Sequence, residues 1–224
     1  MAHHVVYEVG RRPAIYRPKQ FDLTDDLSEM HKVIRQNGFA AVVTARADGM
    51  VATHLPLHLI DDSANGVLWG HFAKANDHWQ ALDGEIEALA IFSGAHTYIS
   101  PYWYETENSV PTWNYDAIHA YGRPRVMADP GAVIAGLSRL SDQYESGRAT
   151  PWKVSDLPDD FVRAQLKGIV AFEMKIERLE GKRKMSQNRA PQDVRGAVAG
   201  LRATGRADDA QVADITEAAN KDRL

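Results

Sequence analysis

Between Phe39 and Ala73 the chain carries three runs of strand-forming residues, interrupted only by Ala-Asp-Gly and by Asp-Asp-Ser-Ala-Asn-Gly. Turn residues at such short intervals turn the chain back on itself, so this stretch predicts an antiparallel three-stranded meander. Within it, the alternation in ATHLPLHLI sends Leu55, Leu57 and Leu59 to one face and His54, Pro56 and His58 to the other. One face of the sheet therefore belongs to a core, and the other is free for a ligand, an acidic partner or a subunit contact.

The rest of the pattern fits around that sheet. Leu27, Met30, Val33 and Ile34 recur at helical spacing after Thr24, which is expected to cap the helix, and Gly38 ends it. A short helix is expected in AKANDHWQALD, a strand in EALAIFSG, and another long strand in VPTWNYDAIHAYGRPRVM. Pro130 follows a candidate cap at Asp129, and Val133, Leu137, Leu140 and Tyr144 form a helical stripe. SDLPDDFVRAQLKG reads as a shorter helix and IVAFEMKIERLEG as a late strand returning to the sheet. Pro191 opens a last clear helix with Val194, Val198 and Leu201 on one face, and the polar residues 206 to 214 read as a weaker tail. No repeat or composition break divides the chain. Residues 1–224 are read as a single mainly β domain, a barrel-like sheet with peripheral helices, helical insertions and a C-terminal helix.

Composition narrows the function classes. The absence of cysteine removes disulfides, iron–sulfur clusters and thiolate chemistry. A formal charge of −4 gives no general attraction to DNA or anionic lipid, so nucleic-acid binding would need a local patch. No apolar run is long enough to span a bilayer, and MAHHVVYEVG has neither the basic start nor the apolar core of a secretory leader; a soluble cytoplasmic protein is expected.

Four polar clusters stand out. His54 and His58 share a face, but no third metal ligand accompanies them, and no metal site is expected. His71 and Lys74 fall where a strand turns into a helix, a place where backbone amides and a lysine can hold phosphate. The segment from Ser93 to Gly122 concentrates Tyr98, Tyr102, Trp103, Tyr104, Trp113, Tyr115 and Tyr121 among His96, Asn114 and His119, suited to a core edge, a dimer interface or a planar ligand. Between Glu173 and Arg189, six basic and three acidic residues give a local charge of +3, enough to neutralise a phosphate or to remain a solvated turn. No Gly-x-Gly-x-x-Gly or P-loop sequence is present.

Taken in order, YRPKQF, VATHLPLHL, GHFAKANDHW, IFSGAHTYISPYWY, VPTWNYDAIHAYG and EGKRKMSQNR resemble the PaiB family of FMN-binding split-barrel proteins, over most of residues 15 to 204. The resemblance implies an FMN-binding split β-barrel of the pyridoxamine-phosphate-oxidase-like group, a homodimer with cofactor grooves where the subunits meet. It places Ala52, Thr53, His54 and Leu55 along the flavin and Lys74 near its phosphate. Trp113 and Asn114 would form the opposite wall or come from the partner chain, and Lys184, Ser186 and Gln187 would close the groove. Met185 and Arg183 depart from the usual leucine and bulky aromatic of that motif. The family label also implies a transcriptional regulator, and with it DNA as a partner, or a flavin-linked sensor. Related split barrels are FMN-dependent oxidoreductases or haem-degrading proteins, so the resemblance leaves catalysis open, with His54, His58 and His119 as proton-transfer candidates.

Overall fold

A computed structural model describes residues 15–224; the reading of the N-terminal decapeptide lies outside the described residues. Strands β1 (Phe39–Arg46), β2 (Gly49–Ile60) and β3 (Val67–Ala73) form the expected meander, with Ala41 opposite His54 and Leu59 opposite Leu68. β1 also pairs with β4 (Ala88–Ile99), which pairs with β5 (Thr112–Gly122), all antiparallel. The long segment expected after Val110 is divided: Arg123 and Pro124 separate β5 from the two-residue β6 (Arg125–Val126), because proline cannot donate to a ladder.

The late strand, β7 (Ile169–Lys184), gives the sheet its architecture. Its first half pairs with β3, from Ala73 opposite Ile169 to Val67 opposite Lys175, and its second half pairs with β5, from Gly122 opposite Ile176 to Tyr115 opposite Lys184. The pairings β1–β2–β3–β7–β5–β4 thus return to β1, and the basic run Lys182–Lys184 is strand rather than turn. Gly122 permits the crossing: a Cβ there would lie 2.2 Å from the Lys175 carbonyl oxygen.

The inward face of this antiparallel sheet is the core. Val42, Leu57, Leu68, Phe72, Phe92, Ile118 and Phe172 are all essentially inaccessible, each contributing about 1.5–3 kcal/mol by transfer from water. Helix α1 (Leu27–Gln36) packs Met30, Val33 and Ile34 onto that core. Its cap is Asp26, which accepts from the Glu29 amide, and not Thr24, whose hydroxyl accepts from the Gly181 amide. Leu27 lies at the helix edge, 37% exposed.

Helix α2 (Pro130–Glu145) starts at Asp129 as expected and lays Val133 and Leu140 over Trp69 on β3, where Gly136 admits the indole. Helix α3 (Asp159–Leu166) is followed by β7. Helix α4 (Pro191–Ala203) is joined by a further helix, α5 (Ala207–Ala219), where a weaker tail was expected. The two enclose a second apolar cluster with Ile99, Met185, Val198, Leu201 and Val212. α5 was obscured by its composition: its buried side includes Asp209 and Thr216 beside Val212 and Ala213, and the following Asn220 is buried as well.

Candidate functional site

Strand alternation sorts the residues expected along the flavin. Ala52 and His54 point outward and are exposed, while Leu55 enters the core at 4% exposure. The outward rows continue across the sheet: Ala52, Val43, Leu89, Tyr121 and Arg178 in one, His54, Ala41, Ile91, His119 and Glu180 in the next. The middle of these rows is apolar, with Ala41, Val43, Leu89 and Ile91, and Phe39 stacks on His54 with ring centroids 6.0 Å apart.

Thr53 turns the other way, toward a buried hydrogen-bond set that sequence reasoning missed. His78 is fully inaccessible; its Nδ1 lies 2.9 Å from Thr53 Oγ1 and its Nε2 2.8 Å from Thr44 Oγ1, while Asn76 Nδ2 donates to Thr53 Oγ1 at 3.1 Å. Burial, with Arg46 nearby, lowers the His78 pKa, so near neutrality the ring is uncharged and one nitrogen donates while the other accepts. The signal was present as NDHW after Lys74, but a histidine among polar residues reads as surface.

Lys74 is exposed at the end of β3. The element after it is a 3₁₀ turn, Asp77–Ala81, rather than an α-helix, and the His78 amide at its start is taken by Asn76 Oδ1. Any anion held here therefore depends on the Lys74 ammonium more than on a helix terminus.

The remaining expected residues lie at the other end of β5. Trp113 is 53% exposed and packs edge-on to Tyr98, with the His96 ring centroid 6.3 Å from its own. Lys184 lies opposite Tyr115 in the ladder and donates from Nζ to Thr112 Oγ1 and to the Trp113 carbonyl, both at 2.5 Å. Burial, with Lys182 and Arg189 close by, lowers its pKa. Asn114 and Ser186 are instead enclosed beneath α5, at 0% and 2% exposure. Asn114 Nδ2 donates to Ser186 Oγ at 3.0 Å and to Thr216 Oγ1 at 3.2 Å. Gln187 folds back on its own strand, accepting from the Met185 amide and donating to the Arg183 carbonyl. These three residues hold the shape of the wall that carries Trp113 and Lys184.

The two groups do not meet within one chain. Thr53 is opposite Val42, which is opposite Ala90 and then Ala120, six residues along β5 from Asn114 and so about 20 Å of strand away. His58 is engaged separately, with Nδ1 2.7 Å from Gln143 Oε1 on α2. Among the described residues, no group of three or more His, Cys, Asp or Glu side chains is arranged to hold a metal, and no helix is long and apolar enough to cross a membrane.

A dominant antiparallel sheet whose strands pair around through β7, with helices at its periphery, is an architecture consistent with a split barrel. The chain belongs to the PaiB-type family of FMN-binding split-barrel proteins: the family described as "Putative FMN-binding domain" matches residues 15–178. It is 34% identical over 203 residues to protease synthase and sporulation protein PAI 2 of Bacillus subtilis, covering 91% of this chain and 97% of that protein. It is also 32% identical to an uncharacterized protein of Emericella nidulans, over 80% of this chain and 87% of the other. Among solved structures, the FAD and heme binding protein from Mycobacterium smegmatis superposes with a TM-score of 0.54 at 18% identity, over 70% of each chain. Rv2991 from Mycobacterium tuberculosis does so at 0.55 and 11% identity, over 78% of this chain and 93% of that one. At these identities the structural likeness speaks for the fold.

Proposed function

We propose that this protein binds FMN as a homodimer, each groove built from the Ala52–His54 strip and Lys74 of one subunit and the Trp113–Lys184 wall of the other. The observation that carries this reading is the separation just described: Ala52, His54, Lys74 and Trp113 are exposed and Lys184 is half-buried, yet about 20 Å of strand keeps the two groups apart within one chain. The residues fit the cofactor. Alanine and valine beside His54 leave room for a flat ring, an exposed tryptophan offers an apolar face, and Lys74 supplies a charge for a phosphate of about −1.5 to −2. Thr53, held by His78, and Leu55 fix the strand from behind, and Asn114, Ser186 and Gln187 do the same for the opposite wall.

When bound, FMN supplies one- and two-electron chemistry. The protein's own part is to place the ring on the β2 strip, exclude water with the Trp113 wall, and present His54 as a hydrogen-bonding group beside the ring. The test is a visible absorption spectrum of the purified protein after stoichiometric FMN is added and the excess removed, together with its mass in solution. Retained flavin on a dimer is the expected result. A monomer that retains no flavin overturns the reading, and a defined Soret band with added haem in place of flavin redirects it to haem.

Likeness to PAI 2 over nearly its whole length supports a second reading, that the flavoprotein acts as a regulator or sensor. Under it, binding at physiological salt favours a cognate promoter over matched random DNA. Equal binding to both favours the enzyme reading, which requires turnover of a reduced nicotinamide faster than with free FMN.

A further inference from the structure

The β2 strip and the turn that carries Lys74 are tied together from behind by one side chain. His78, in the 3₁₀ turn Asp77–Ala81, is enclosed with Nδ1 against Thr53 Oγ1 of β2 and Nε2 against Thr44 Oγ1 of β1. The turn is fastened to the same strand a second time, because Asn76 Nδ2 donates to Thr53 Oγ1 while Asn76 Oδ1 accepts from the His78 amide. Trp79 folds the turn back on Lys74, its Nε1 donating to the Lys74 carbonyl at 3.1 Å. Thr53 lies between Ala52 and His54, and Lys74 two residues before Asn76. One buried ring therefore links the strand assigned to the flavin with the lysine assigned to its phosphate.

The hydrogen bonds of this set depend on the charge of the ring. A neutral imidazole has one N–H and one acceptor nitrogen, so whichever nitrogen holds the proton, one threonine hydroxyl donates to the ring and the other accepts from it. An imidazolium has two N–H groups and no acceptor, and the donating hydroxyl loses its partner. Thr44, 1% exposed, has no other side-chain hydrogen bond among the described residues, and Thr53 Oγ1 also holds the Asn76 amide. Proton uptake thus breaks one bond of the set from either tautomer. The surroundings do not offset that cost: Phe72 of β3 places its ring 5.0 Å from the imidazole, and Thr44 and Thr53 bring no charge. The charged groups facing His78 are Arg46, at the end of β1, and Asp77 beside it; Arg46 pairs with Asp77 at 3.5 Å and with Asp48 at 3.1 Å.

We propose that His78 is a positioning residue for flavin retention, and that its proton and the flavin oppose each other: the neutral ring holds the β2 strip and the Lys74 turn in the binding arrangement, and the imidazolium releases them. The inference rests on the flavin reading above and adds the residue through which retention depends on pH. Coupling is reciprocal, so bound FMN lowers the proton affinity of His78 by the same factor by which the proton lowers the affinity for FMN. One proton sets the steepness. FMN affinity falls by at most about tenfold per pH unit once the pH is below the value at which His78 titrates in the free protein.

The experiment measures FMN affinity by flavin fluorescence for the full-length wild type, H78A and H78Q between about pH 8 and pH 5, with circular dichroism checking the fold at each pH. Glutamine offers a donor and an acceptor and does not titrate. At about pH 7.5, H78A is expected to lose about tenfold in affinity and H78Q to regain most of it. By about pH 5.5 the wild type is expected to have lost about tenfold relative to H78Q. Titration of the flavin phosphate, at about pH 6, weighs on both proteins alike. Coincident pH profiles for wild type and H78Q overturn the proposal, as does an H78A that binds FMN as tightly as wild type. No FMN binding at any pH removes the flavin reading and this one with it, whereas binding with coincident profiles removes this one alone. Should the variants fail to fold, the wild type decides: its His78 ¹⁵N resonances, assigned through contact with Phe72, are expected to titrate at lower pH with FMN bound than without. Equal titration in the two states overturns the proposal.

Discussion

Replacing Arg183 tests the electrostatics that join α1 to the sheet. Its Nε and Nη2 donate to Asp116 at 2.8–3.2 Å and its Nη1 to Glu29 Oε2 at 3.0 Å, while the Asp116 side chain is only 2% exposed. Burial pushes the Asp116 carboxyl up despite the neighbouring guanidinium. In R183M that carboxylate loses its main counter-charge, and breaking such a pair from one side costs about 3–5 kcal/mol. For a chain of this size the expected fall in Tm is about 2–4 °C per kcal/mol. The loss also has a pH signature. With the folded pKa of Asp116 above its unfolded value, the protonated acid is the better tolerated form, so the deficit of R183M shrinks as pH falls from 8 toward 5. R183M/D116L, which removes both charges, recovers most of the loss. Urea unfolding of the wild type, both single variants and the double variant at two pH values measures the coupling. A cost for R183M below about 1 kcal/mol, or a deficit that grows on acidification, would refute the reasoning.

Other consequences are measurable alongside it. K74A is expected to weaken FMN affinity without lowering Tm; unchanged flavin titration would remove Lys74 from the groove. Because burial lowers the pKa of His71, His78 and His119, the unfolded chain binds more protons than the folded one below about pH 6.5, and stability is lost as pH falls through that value. His78, fully enclosed, contributes up to about 1.4 kcal/mol per pH unit, and a denaturation midpoint that is flat from pH 7 to 5 would contradict this. G122A forces a Cβ to within 2.2 Å of the Lys175 carbonyl at the crossing into β7, and a Tm equal to wild type would show that the strand shifts at no cost.

What could be read from the chain follows the kind of force involved. Leu55, Leu57 and Leu59 declared their face because hydrophobic burial in a strand has a period of two. The Asp129–Pro130 start of α2 was visible because capping chemistry is local. α5 was not legible, since Asp209 bonds to Thr97 and Thr204, Thr216 to Asn114, and Asn220 to the Met185 carbonyl; polar side chains buried on distant partners leave no apolar stripe. The same network explains why Asn114 and Ser186 occur in a recognisable motif yet lie out of reach of solvent. Resemblance located the motif, but which side of the strand each residue takes depended on the register of β5 and β7.

The dual pairing of β7 also governs how the chain can be made. β1, β2 and β3 are neighbours in sequence and can pair as they leave the ribosome, but β3 has no second neighbour until a strand about a hundred residues later arrives. While the chain between Ala73 and Ile169 is being made, its open edge can recruit another nascent chain. α2, packed over Trp69 on that strand, is synthesised well before β7 and covers part of it during the wait.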